Sequence, residues 1–147
     1  MAGELLERRI TLACSPAHAF RVFTTMTDLW WPHHHRRTAN AVMVFEPQLG
    51  GRLLERAPDG GEWVIGRITD YEPPERLRFD WFPGSPAAPT AVDVSFHAAP
   101  GGAEITIVHR APSEGAISAW PEKVALFARG WDTVLPALGR FVQTSRE

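Results

Sequence analysis

Between Asn40 and Arg110 the chain reads as short runs of alternating apolar and polar residues cut by glycine and proline; after Trp120 the apolar period lengthens to three and four. That switch constrains the fold more than any other feature. Strands joined by hairpin-length turns build an antiparallel sheet, and a lone amphipathic helix must bury its stripe against that sheet. The punctuation divides the β region into Ala41–Glu46, Arg52–Arg56, Glu62–Tyr71, Arg76–Phe82, Ala91–His97 and Glu104–Arg110. Gly50-Gly51, Asp59-Gly60, Pro73-Pro74 and Gly101-Gly102 supply the turns, and a proline- and alanine-rich loop spans Pro83 to Pro89.

Upstream, Ile10, Leu12 and Cys14 alternate with polar or small residues, which predicts a first strand over Arg8–Cys14. Ser15-Pro16 then has the form of an N-cap followed by proline at the first helical position. Ala19, Phe20 and Phe23 continue at helical spacing, Thr27 to Trp31 forms a second helical turn, and Pro32 with His33, His34 and His35 reads as a loop. At the other end Val124, Phe127, Ala128, Trp131, Leu135, Leu138 and Phe141 predict a helix from about Trp120 to Val142, with Pro136 kinking or breaking it. The expected class is α+β: a six- to seven-stranded antiparallel sheet wrapped around a long C-terminal helix, in one domain spanning residues 1–147.

A charged fraction of 22% and an apolar fraction of 44% fit a globular domain. The net charge of −2 gives no basic surface for nucleic acid. No apolar run reaches the roughly 20 residues that cross a bilayer, and the N-terminal residues lack the layout of a secretion signal. A cytoplasmic location without a membrane partner is therefore expected. Cys14 is the only cysteine, which excludes an internal disulfide, and it reads as a small core residue.

Alternation also assigns faces. Leu77, Phe79 and Trp81, then Val92, Val94 and Phe96, then Ile105, Ile107 and His109 should point towards the helix. A space between sheet and helix would be lined by Trp31, His33, Phe45, Phe79, Trp81, Val94, Phe96, Ile107 and His109, and by Phe127, Trp131 and Leu135 from the helix. Trp63, like Trp31, Trp81 and Trp131, falls in a segment that should surround this space, with an outward orientation as the alternative because Val64, Gly66 and Ile68 compete for the inward side. His109 is the odd polar member: either a core histidine with satisfied ring nitrogens, or a polar anchor able to act as acid or base. The histidine triplet invites a metal reading, but adjacent residues in an extended loop point apart; Asp28, Glu46 and Glu55 could supply carboxylates, and their convergence is not something a sequence displays. No metal and no cofactor is expected. Neither a nucleophile elbow nor a phosphate-cradling glycine loop is present, so catalysis would depend on His109, Asp80, Tyr71 or pocket water.

The same punctuation resembles a known family. Ser15-Pro16-Ala17-His18-Ala19-Phe20, Trp30-Trp31, Glu46-Pro47-Gln48-Leu49-Gly50-Gly51-Arg52 and Asp59-Gly60 belong to the series. Gly66, Tyr71-Glu72-Pro73-Pro74-Glu75-Arg76-Leu77 with Trp81, Gly101-Gly102 and Gly130-Trp131 complete it. Together they are similar to the activator of heat-shock-protein-90 ATPase homologue-like family, within the START, birch-pollen-allergen and polyketide-cyclase-like superfamily. The resemblance implies a helix-grip fold: seven strands on a long C-terminal helix, two short helices closing one end, and a hydrophobic cavity between. It carries no catalytic motif over, because that family shares none, and the chain departs from it at Pro136 and at the triple histidine. Binding of a small, largely apolar molecule is the leading expectation. A cyclase or hydrolase using His109 and a protein-interaction or chaperone-cofactor module are the alternatives, and a homodimer is compatible with so many aromatics.

Overall fold

The computed structural model describes residues 5–83 and 88–144; most of the loop expected over Pro83–Pro89 lies outside the described residues. Seven antiparallel strands form one sheet: β1 (Leu5–Leu12), β2 (Val42–Phe45), β3 (Arg52–Arg56), β4 (Glu62–Glu72), β5 (Arg76–Trp81), β6 (Thr90–Ala99) and β7 (Gly102–Arg110). Their order across the sheet is β1-β7-β6-β5-β4-β3-β2. All strands but β1 follow as hairpins, and β1 pairs with the last of them, Leu6 opposite His109 and Leu12 opposite Ala103. Between β1 and β2 lie α1 (Pro16–Thr25), α2 (Thr27–Trp30) and a 3₁₀ turn (His33–His35); α3 (Glu114–Thr144) ends the described chain.

Local chemistry accounts for these boundaries. The Ser15 hydroxyl accepts the His18 N–H at 3.1 Å, and Pro16 occupies the first turn where no N–H is needed. The β2–β3 turn brings Gly51 so close to Glu46 that a Cβ there would lie 2.1 Å from its carbonyl oxygen, so only glycine fits. Helix α3 starts at Glu114, six residues before the expected start. Ser113 caps it, its hydroxyl accepting the Ala116 N–H at 3.2 Å. The helix contains both Pro121 and Pro136, and it continues through Pro136 without the expected break.

The inner face of the sheet follows the alternation on most strands. Leu77, Phe79, Val92, Val94, Phe96, Ile105, Ile107 and His109 are all buried. β4 departs from it. Leu53 pairs with Gly66 and Leu54 with Val64, so Ile65 is the extra residue of a β-bulge. The bulge resets parity: Trp63 and Ile65 share the inner face before it, Gly66 and Ile68 after it. The outward alternative for Trp63, which strict alternation left open, is thereby corrected. On the outer face charges pair across strands, Arg78 and Arg110 with Asp93 at 2.5 and 2.8 Å, and Arg76 with Asp70. Cys14 is buried in the core.

Candidate functional site

One end of the space between sheet and helix is plugged by aromatic rings from α1. Phe96 meets Phe20 and Phe23 with ring centres 5.1 and 5.9 Å apart, Phe45 meets Phe23 at 6.3 Å, and Phe45 meets Phe79 at 6.3 Å. Val94, Phe96, Ile107 and Leu135 belong to this continuous core and line neither of the two described cavities. Phe45 and Phe79 border only a void of about 10 Å³, about the least space that admits a water. These six of the expected lining residues are therefore core residues. Alternation gives the face a side chain takes but not its depth along the sheet, and α1 fills the depth at which these six sit.

At the other end the space is open. A cavity of about 370 Å³ lies between β3, β4, β5, β7, α3 and the segment after α2. Four tryptophans wall it: Trp31 from the end of α2, Trp63 from β4, Trp81 from β5 and Trp131 from α3. Trp31 meets Trp81 and Trp131 at 6.0 and 6.4 Å between ring centres. His109 and Phe127 join them, so Trp31, Trp81, His109, Phe127 and Trp131 of the expected set come together here. Ile65, Gly130 and Val134 complete the apolar wall. Sequence reasoning missed these three because of the β4 bulge and because helix periodicity alone does not show where α3 stands off the sheet.

His109 has no exposed surface, and both ring nitrogens are engaged. The Trp131 indole N–H donates to Nδ1 at 3.0 Å. An indole nitrogen can only donate, so Nδ1 is the acceptor and the ring proton sits on Nε2. Nε2 is 2.7 Å from the Thr90 hydroxyl, which reaches the Trp81 carbonyl at 3.2 Å. The chain Trp131 to His109 to Thr90 to Trp81 thus ties helix to sheet. Phe127 lies over the imidazole with ring centres 4.3 Å apart. Burial pushes the His109 pKa down to about 3, so the ring is neutral near pH 7. Of the two readings of His109, the geometry is that of a satisfied core histidine; neither nitrogen is left to abstract or deliver a proton.

The mouth of the cavity is built differently. Exposed His35, Arg37, Leu126 and Arg129 form its rim. His33, expected at the mouth, instead turns its Nδ1 to the Ala39 carbonyl oxygen at 2.6 Å, leaving His35 at the rim. Arg37 lies over Trp63, its guanidinium carbon 4.2 Å from the ring centre. Glu55, buried on the wall, accepts the Arg37 backbone N–H at 2.6 Å. Desolvation raises its pKa, opposed by that hydrogen bond. Behind the rim, buried Arg36 holds the whole segment. Its guanidinium donates to the Asp28 carboxylate at 2.6 Å and to the carbonyls of Ala41, Asp28 and Trp31 at 2.7, 2.8 and 2.7 Å. The Asp28 carboxylate also accepts the Met43 N–H at 2.9 Å. Nothing in the spacing of Arg36 distinguishes it from its neighbour Arg37, so this clamp was not legible in advance.

Among the described residues no three His, Cys, Asp or Glu side chains converge as metal ligands would, and no helix is long and apolar enough to cross a membrane.

Solved structures share this architecture. Protein NE0264 from Nitrosomonas europaea superposes with a TM-score of 0.71 at 14% identity, over 99% of this chain and 98% of that one. A protein from Rhodobacter sphaeroides gives 0.72 at 22% identity, over 97% and 95%. DynU16, a protein of the dynemicin biosynthetic locus, gives 0.72 at 15% identity, over 96% of this chain and 48% of its own. At these identities the likeness is one of fold. No curated protein matches the sequence. The model of the family described as activator of Hsp90 ATPase homolog 1-like protein matches residues 13–143, most of the chain, and the chain belongs to that family.

Proposed function

We propose that the protein binds a small, largely apolar molecule in the cavity between the sheet and α3. The observation that carries this reading is a space of about 370 Å³ walled by four tryptophans, left unfilled in a chain that packs the opposite end of the same sheet with phenylalanines. Ligand sites typically measure roughly 300–1,000 Å³, with mostly apolar walls and a few placed polar groups. A cavity of about 150 Å³ holds benzene, so this one suits a guest of roughly two fused rings or an equivalent aliphatic body. An enzymatic role based on His109 has no support in the geometry, since its hydrogen bonds occupy both nitrogens.

Gly130 provides the test. It lines the cavity, and a Cβ placed on it would meet no atom within 4 Å. Gly130→Leu should fill the mouth without a clash. Calorimetric titration with 2-methylnaphthalene should show saturable binding to the wild-type protein and at least about tenfold weaker binding to the variant. The helix should meanwhile gain up to about 1 kcal/mol from the loss of glycine. Equal affinity in the two proteins would place the guest elsewhere and remove the reading.

A further inference from the structure

We infer that the guest carries an anionic head, a carboxylate or a group of similar charge, held at the rim by Arg37 and Arg129 while its apolar body lies among the tryptophans. This deepens the binding reading above and rests on it.

The inference comes from how the arginines are used. Many elsewhere on the surface are matched: Arg52 pairs with Glu46 and Glu62, Arg8 with Asp132, and Arg78 and Arg110 with Asp93, while Arg21 and Arg67 meet only His18 and the Gly50 carbonyl, away from any described cavity. Among the described residues, neither Arg37 nor Arg129 has a carboxylate within ion-pair distance, yet both border the one large apolar space described. Arg37 is also partly preorganised. Its guanidinium rests on the Trp63 face, and its backbone N–H is fixed by Glu55. The loop carrying it is anchored by Arg36 to Asp28, Trp31 and Ala41.

A guanidinium seated over an indole face retains N–H donors for an oxyanion and loses little side-chain freedom on binding one. Arg129 borders the same cavity from α3, so the two cations come from the loop before β2 and from the helix.

The opposing charge has to be weighed. Glu55 is the one acidic side chain on the wall. It is buried, it accepts the Arg37 backbone N–H, and it feels the charges of Arg36 and Arg37, though it stands outside ion-pair distance of either guanidinium. Two guanidiniums at the rim outweigh this one carboxylate for an incoming anion, and the wall offers no second cation. An anionic end of a guest is therefore matched at the entrance.

The probes are 2-naphthoic acid, 2-naphthamide and 2-naphthylmethylamine, which share one apolar body and differ in head charge. Calorimetry at pH 7 should show the acid binding about tenfold or more tightly than the amide, as a charge-assisted contact gives. The Arg37→Met, Arg129→Met double variant should bring the acid to within about twofold of the amide. Both positions are exposed, and matching circular dichroism melts check that the variant folds; Arg129→Met alone provides a second measure. Equal binding of all three probes, or tightest binding of the amine, overturns the anionic head while the apolar cavity stands. A preference for the acid that survives in the double variant overturns the assignment to these arginines. Binding of none of the three removes the cavity reading itself.

Discussion

His109 shows how one buried side chain sets a property of the folded state. In the unfolded chain its imidazole takes up a proton below about pH 6.5, whereas the folded protein keeps it neutral down to about pH 3. Between those values the unfolded state binds more protons, so stability must fall as the pH falls. The slope attributable to this residue is at most about 1.4 kcal/mol per pH unit, one proton's worth. Urea titrations of the wild type and of His109→Gln between pH 6 and 4 should therefore diverge, with the wild type losing stability faster. Parallel curves would mean that the ring takes up a proton in the folded state, and with it that the bond from Trp131 opens. Arg36 illustrates the opposite arrangement, a buried cation made tolerable because three carbonyls and a carboxylate meet it.

Within the elements, the bulge on β4 matters most for the cavity, because it brings Trp63 and Ile65 inwards. Gly66 is bound up with it. A Cβ there would lie 2.5 Å from the Asp80 carbonyl oxygen, so Gly66→Ala must push β4 and β5 apart. A loss of about 2 kcal/mol or more is expected in chemical denaturation, together with a changed tryptophan emission from Trp63 and Trp81. An unchanged midpoint would show that the strand pair yields freely at this point. The bulge also marks where reading the sequence stopped working. Strands β5, β6 and β7 announced their inner faces correctly because they run in unbroken register from Arg76 to Arg110. β4 did not, since an extra residue at Ile65 inverts alternation without leaving a sign of its own, and a second register shift follows between Ile68 and Asp70. The early start of α3 was missed for a different reason. Ala116 and Trp120 are its only buried residues before Val124, too few to establish a period. Depth was the remaining gap: Phe96 and Trp81 look equivalent on their strands, and only the placement of α1 makes one of them core and the other cavity wall.

Taken as a whole, the molecule has one core running from the α1 phenylalanines to Leu138 and Val142 of α3, and β1 joins both ends of the chain into it. Arg8 of β1 reaches Asp132 of α3 at 2.7 Å, and a Cβ on Gly139 would stand only 3.2 Å from Ile10. A helix seated this closely should not melt on its own. Far-ultraviolet circular dichroism and tryptophan fluorescence are expected to trace a single coincident urea transition, as for most domains below about 150 residues. Two separated transitions would mean that α3 detaches first. The contrast between the rim and the base of the cavity carries a last consequence. With cations at the entrance and, Glu55 apart, rings and aliphatic groups beneath, an occupant of the proposed kind would have one way round. It would go in tail first, come out head first, and throughout its stay show the outside world the same end, the one a third molecule could meet while the rest stays hidden.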